Sequence, residues 1–246
     1  MICEDRNTSY SELDDRSNQV ANALIANNIK RGDRVAYLGQ NCDDVFELLF
    51  GAAKIGAVLV PINWRLTAPE VRYILADSQA KLVVCDHDRA TIALEAFQTS
   101  DETVKLVRTG AEFIEWRNTG NQKDPQIDIS PTEIAVQMYT SGTTGRPKGA
   151  MIAHANFAAQ RDNDVLLGDW AVWKPDDVNL VVLPLFHIGG LGWALVGLHY
   201  GVANIIHPTP DAAAILSDIA NRGVTQMLVV PAVLQEIVKL ARSKLE

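Results

Sequence analysis

Short runs rich in Val, Ile and Leu recur along the chain, separated by segments of helical periodicity. The strand candidates are 34–38 (RVAYL), 57–62 (AVLVPI), 81–85 (KLVVC), 103–107 (TVKLV), 134–140 (IAVQMYT), 178–184 (VNLVVLP), 202–206 (VANII) and 224–230 (VTQMLVV). Most are continuously apolar rather than alternating, the pattern of strands covered on both faces. The segments between them repeat apolar residues at helical spacing. Ser11, with Asp14 three residues on, predicts a variant capping box for a helix that places Leu13, Val20, Ala21 and Leu24 on one face, with Gly32 beyond its end. A second helix is predicted after Asn41, with Val45, Leu48, Leu49, Ala52 and Ile55 inward and Gly56 as its stop. A third is predicted from Asp211 to about Asn221, near Gly223. Strand–helix alternation of this kind implies an α/β protein with two parallel-type sheets flanked by helices.

The boundary between the two α/β parts is expected after the helix that begins near His154. Residues 30–164 then form a first subdomain, and 1–29 with 165–246 form a partial second one. The stretch 118–133 (NTGNQKDPQIDISPTE) is polar, contains two prolines and reads as an exposed loop. Residues 188–206 carry no Asp, Glu, Lys or Arg over nineteen positions, about the length of a membrane span. Five glycines, His199 and Asn204 interrupt that run, so a buried helix–turn–strand is expected and no transmembrane segment.

Length and composition fit a soluble globular chain: 246 residues, 48% hydrophobic and 21% charged. A net charge of −8 disfavours nucleic acid or an anionic membrane as the main partner. Cys3, Cys42 and Cys85 are scattered and odd in number, which fits neither a disulfide framework nor a zinc site. The first ten residues, MICEDRNTSY, are polar and acidic, so no signal peptide is expected and the cytoplasm is the expected compartment.

The chemistry concentrates in Tyr139–Gly149, YTSGTTGRPKG. Backbone N–H groups of Gly142 and Gly145, with hydroxyls of Thr140, Ser141, Thr143 and Thr144, can surround an anionic oxygen cluster, and Lys148 adds a point charge. Following a strand and preceding the helix near His154, such a loop is expected at the carboxyl edge of the sheet. The Walker pattern requires glycine directly before the lysine and Ser or Thr after it, whereas Lys148 lies between Pro147 and Gly149. By composition alone the stretch could equally be a flexible surface loop.

YTSGTTGRPKG closely resembles the phosphate-loop signature of the adenylate-forming superfamily, the AMP-binding acyl- and aryl-CoA synthetases, luciferases and peptide-synthetase adenylation domains. Residues 8–24, 32–41, 51–84 and 183–192 (LPLFHIGGLG) also resemble that family's N-terminal domain, so the likeness covers nearly the whole chain. The resemblance implies the layered αβαβα N-terminal domain, incomplete at its C-terminal end. It implies an ATP-dependent ligase that joins a carboxylate to the α-phosphate of ATP and then forms acyl-CoA. Thr140, Ser141, Gly142, Thr143, Thr144, Gly145 and Lys148 would bind the ATP phosphates, with Thr144 near Mg²⁺.

In the peptide-synthetase members an Asp follows the Phe of the second motif and pairs the substrate ammonium. Here Phe186 is followed by His187, which disfavours amino acids. His187, Gly189 and Gly190 are implied to border an acyl or adenylate pocket, the glycines either leaving space for an alkyl chain or permitting close helix packing. The wording is most similar to bacterial medium- or long-chain fatty acyl-CoA synthetases. An aryl-CoA synthetase and a non-catalytic acyl- or nucleotide-binding protein are the alternatives.

Relatives that the chain resembles are about twice as long. The adenine-holding stretch, the Mg²⁺-assisting glutamate, the ribose-binding aspartate, the hinge and the C-terminal lysine are not found among these residues. The C-terminal lid domain is therefore expected to be absent, the chain to contain no catalytic residue of its own, and the isolated chain to be inactive. Apolar faces at 180–186 (LVVLPLF) and 227–234 (MLVVPAVL) then lose partners, so self-association or a dimer is expected.

Overall fold

The computed structural model describes residues 1–97, 104–140, 146–164 and 172–243. It divides into two compact units: Tyr10–Gln40 with Asp44–Ala159, and Met1–Ser9 with Asn41–Asp43 and Gln160–Glu246.

Among the described residues of the larger unit, six strands form one sheet: β3 (Arg34–Leu38), β4 (Val58–Ile62), β5 (Ala80–Cys85), β6 (Lys105–Arg108), β7 (Ile134–Thr140) and β8 (Lys148–Ala153), in the order β6-β5-β3-β4-β7-β8. All neighbours run parallel except β7 and β8, which are antiparallel. The helices are α1 (Tyr10–Ala26), α2 (Asp44–Lys54), α3 (Ala68–Ser78), α4 (Ala90–Phe97), α5 (Ala111–Arg117) and α6 (His154–Asp164), the last running past Ala159. Every residue of β4 is buried, as its unbroken apolar run demands. Ala36, Leu38, Val60, Ile62, Val83 and Cys85 from three adjacent strands pack with Val71, Ile74 and Ala93 from α3 and α4.

Where the sequence pattern places residues 1–29 with the second subdomain, α1 instead belongs to the larger unit. A Cβ on Gly51 of α2 would stand 2.5 Å from Val20 Cγ1 and 3.0 Å from the Ser17 carbonyl oxygen. Only glycine permits that approach, and it locks α1 onto α2. Ser11 lies within the first turn of α1, not at its cap. The capping box falls at α3, where the Thr67 N–H donates to Glu70 Oε2 at 2.8 Å. The stretch 118–133 lacks regular structure, as expected, yet it is strapped to the unit. Asn22 Nδ2 donates to the carbonyls of Asn121 and Lys123, and Arg31 pairs with Glu133 at 2.9 Å.

The smaller unit holds β1 (Ile2–Cys3), β2 (Arg6–Asn7), β9 (Val178–Val181), β10 (Ala203–Ile206) and β11 (Gln226–Met227), in the order β11-β9-β10-β1-β2. Here β2 alone runs antiparallel to its neighbour. Its helices are α7 (Ile188–His199), α8 (Ala212–Asn221) and α9 (Pro231–Ser243). Leu180, Val182, Ile205, Ile215 and Ile237 form its core. Residues 188–206 form α7, a turn and β10, as the glycine pattern predicts. Among the described residues no helix is long and apolar enough to cross a membrane. The strands expected at 178–184 and 224–230 shrink to β9 and β11, because residues after Val181 form a separately held loop.

Candidate phosphate and acyl site

The chain leaves the sheet at Thr140, the carboxyl end of β7, and re-enters it at Lys148, the first residue of β8. Thr140 pairs with Lys148, and Tyr139 with Gly149, in an antiparallel ladder. The loop is therefore a hairpin connection, not the strand-to-helix loop that the sequence implies; helix α6 starts only after β8. The carboxyl-edge placement survives, since β7 runs parallel to β4. Directly opposed residues share a face, so the exposed side chains of Thr140 and Lys148 stand together at the loop's base. Ser141, Gly142, Thr143, Thr144 and Gly145 lie outside the described residues.

A polar network braces that base. Arg34 Nε donates to Gln137 Oε1 at 3.2 Å, Gln137 Nε2 donates to the Tyr139 hydroxyl at 3.0 Å, and that hydroxyl donates to Asp77 Oδ2 at 2.5 Å. Burial, and then the hydrogen bond to Asp77, pushes the Tyr139 phenol well above its ordinary value, so it stays a donor. Gly149 fits because a Cβ there would lie 2.4 Å from Gln137 Nε2. On the far strand, the Tyr73 hydroxyl donates to the Pro147 carbonyl at 3.2 Å, and the Arg146 guanidinium lies over the Tyr73 ring at 5.9 Å. Three side chains from β3 and β7, with Tyr73 and Asp77 from α3, thus hold the hairpin on which Lys148 sits.

In the smaller unit, His187 caps α7 in an extended conformation and is exposed. Its ring lies 4.5 Å from that of Phe186. The two glycines after it differ. A Cβ on Gly190 would stand 2.2 Å from the Pro184 carbonyl oxygen, so this glycine serves close packing of α7 on its own entry loop and opens no space. A Cβ on Gly189 would meet nothing nearer than Leu183 Cδ1 at 3.8 Å, which leaves room beside His187.

Asn41, marked in the sequence only as the residue before the second helix, is bonded to two loops of this region. It is 4% exposed. Its Nδ2 donates to the carbonyls of Leu183 at 3.0 Å and His207 at 3.1 Å, while its Oδ1 accepts from the Leu185 N–H at 2.9 Å. Its own N–H reaches the Pro208 carbonyl at 3.3 Å. His207 is buried and bonded through Nε2 to Asp218 Oδ2 at 2.7 Å.

A groove of about 640 Å³ in the larger unit is lined by Tyr10, Leu13, Phe50, Ile129, His154 and Ala158 among others, and by neither Thr140 nor Lys148. It is apolar and lies away from the hairpin base. His154 Nε2 is buried there without a hydrogen-bond partner, and burial holds the imidazole below its ordinary value.

A family model described as AMP-binding enzyme matches residues 1–246. The chain belongs to this family. It is 40% identical over 237 residues to the fatty acid–[acyl-carrier-protein] ligase ScoC of Streptomyces coeruleorubidus, covering 96% of this chain and 45% of that one. It is 37% identical over 232 residues to a feruloyl-CoA synthase of an Amycolatopsis species, covering 93% and 45%. Its structure superposes on that of ATP-bound MatB from Rhodopseudomonas palustris with a TM-score of 0.84 at 30% identity, covering 96% of this chain and 46% of the other. The chain thus spans about half the length of these relatives.

Proposed function

We propose that the chain is the N-terminal part of an ATP-dependent carboxylate–CoA ligase of the acid–thiol class. The observation that carries this reading is the glycine- and threonine-rich connection rooted at Thr140 and Lys148, at the carboxyl end of a braced parallel strand. Likeness to an ATP-bound structure supports ATP as the nucleotide.

In this reading the Lys148 ammonium and the hydroxyls from Thr140 to Thr144 hold the β- and γ-phosphates. A carboxylate oxygen attacks the α-phosphorus, the bond to pyrophosphate breaks, and an acyl-adenylate forms. A thiolate then attacks the acyl carbon and AMP leaves. The chain's own contribution is positioning and charge neutralisation, which dominate chemistry at phosphorus. Mg²⁺ would neutralise phosphate charge when bound, and the Thr144 hydroxyl is proposed to help hold it.

The acid is proposed to be apolar and without an ammonium group. His187 stands where an amino-acid site needs a carboxylate, and Gly189 leaves room beside it. The names of the two relatives, one for a fatty acid and one for ferulate, support that class. They also leave an aryl acid as the second reading, and a carrier-protein thiol as a second acceptor. Incubation of the full product of the gene that carries this chain with ATP, Mg²⁺, a panel of fatty and aryl acids, and either CoA or a phosphopantetheinylated carrier protein, with AMP measured, separates these outcomes. AMP formation with fatty acids and CoA is expected; none with any acid or acceptor would favour the non-catalytic reading.

The protein is proposed to work in the cytoplasm, where buried thiols such as those of Cys3 and Cys85 stay reduced. It is also proposed to self-associate through α9. That helix turns Val233 and Ile237 toward the core but leaves Leu234 and Val238, four residues apart, exposed, with Val230 exposed just before its start.

A further inference from the structure

Buried asparagines are costly unless every hydrogen-bonding group finds a partner. Asn41 meets that condition with main-chain groups alone, and those groups come from two loops far away in sequence. Both amide hydrogens go to carbonyls, one on Leu183 after β9 and one on His207 after β10. The amide oxygen takes the Leu185 N–H, and the backbone N–H takes the Pro208 carbonyl. The two loops leave adjacent parallel strands at their carboxyl ends. Neither loop is continued by ladder bonds beyond His207, whose N–H reaches the Val181 carbonyl at 3.0 Å. Past that point the Asn41 carboxamide takes the place of the ladder.

The loop so held leads straight into the acid site. Pro184 accepts the His187 N–H at 3.1 Å and crowds Gly190, so its position sets where α7 begins. His187 in turn accepts the N–H groups of Gly190 and Leu191. A displacement of Leu183–Leu185 therefore carries the His187 ring with it.

We propose that Asn41 is a positioning residue: its carboxamide clamps the Leu183–Leu185 loop to the loop at His207 and Pro208 and thereby fixes His187 at the edge of the carboxylate pocket. This rests on the reading of His187 as a pocket residue. Asn41 does not touch the acid. It acts through the loop, much as supporting side chains orient a functional group they do not replace.

The test uses the 246-residue chain and two readouts, the ¹³Cε1–¹Hε1 signal of His187 and binding of dodecanoate followed at that signal. Asn41→Asp keeps size and the acceptor for Leu185 but sets oxygen against the Leu183 and His207 carbonyls. Asn41→Ser is the milder second variant, should Asn41→Asp fail to fold. Asn204→Ala is the control. Asn204 is buried in the same unit and bonded to Asn179 and Val202, under the middle of α7. The Asn41 variants are expected to move the His187 signal and to weaken dodecanoate binding by about tenfold, the loss of one or two net hydrogen bonds. Asn204→Ala is expected to lower the melting temperature and leave the signal in place. If the Asn41 variants move His187 no more than Asn204→Ala does, the proposal is wrong. If dodecanoate fails to perturb His187 in the unaltered chain, the pocket reading falls instead, and the signal shift alone still decides the role of Asn41.

Discussion

Thr140 and Lys148 are ladder partners across β7 and β8, eight residues apart in sequence and opposed at the end of the hairpin next to its connection. The hydroxyl and the ammonium are thus placed on one face by backbone pairing, with no side-chain bond required between them. Behind them Gln137, Tyr139 and Asp77 make the pairing rigid. In the full product of the gene, replacing Lys148 by Ala should leave this scaffold intact and weaken ATP use by about 1–3 kcal/mol, the range for a charge-assisted hydrogen bond. Carboxylate affinity should change much less. Unchanged ATP kinetics in this variant would remove Lys148 from the phosphate site.

For His187, truncation to Ala should alter preference among acids and slow adenylation without a matching fall in melting temperature. The ring is exposed and its removal opens no cavity in the core. A lowered melting temperature with normal specific activity of the folded fraction would instead mark it as a structural residue.

The paired glycines make opposite predictions. Gly190→Ala drives a methyl group into the Pro184 backbone and should destabilise the fold by about 1–3 kcal/mol. Gly189→Ala has room and gains helix propensity, so stability should stay within about 1 kcal/mol. If Gly189 borders the acyl chain, the added methyl should shorten the longest acid accepted. Thermal unfolding of both variants, with a chain-length series for the second, checks this.

Much of this was legible from sequence. The boundaries of β3 and β7 match the runs at 34–38 and 134–140, because both strands are buried along most of their length and so read as near-continuous runs without charge after their first residue. Strand β8 was not legible: KGAMIA lies at the edge of the sheet with half of its residues exposed, so neither a continuous apolar run nor a helical period marks it. The grouping of α1 follows from its packing along α2, closest at Gly51, which no periodicity reports. Asn41 is one polar residue in a loop, and its four bonds exist only once distant loops come together.

His154 supplies a pH dependence. Burial lowers its affinity for a proton below the ordinary value of 6.5, although the Glu133 charge opposes this. On acidification the unfolded chain therefore takes up a proton at this residue before the folded one does. Stability from this residue is full above its unfolded value and is lost as pH falls below it, until the folded imidazole also protonates. Between about pH 7.5 and pH 5.5 the melting temperature should fall more in the unaltered chain than in His154→Gln. Parallel curves for the two proteins would contradict this.

Self-association through α9 should depend on its outward stripe. Sedimentation of the chain should show a species heavier than the monomer, and Leu234→Glu with Val238→Glu should return it to monomer, since both side chains are exposed already and tolerate charge in the folded unit. A monomer at all concentrations would exclude this interface.

The most direct measurement is carboxylate-dependent exchange of labelled pyrophosphate into ATP, made on the full product of the gene that carries this chain. Exchange requires adenylate formation to run in both directions, and no binding protein can produce it. Exchange that appears with fatty acids and drops sharply in Lys148→Ala is the expected result. No exchange with any carboxylate, or exchange indifferent to Lys148, would contradict the assignment of this hairpin to ATP-dependent acid activation.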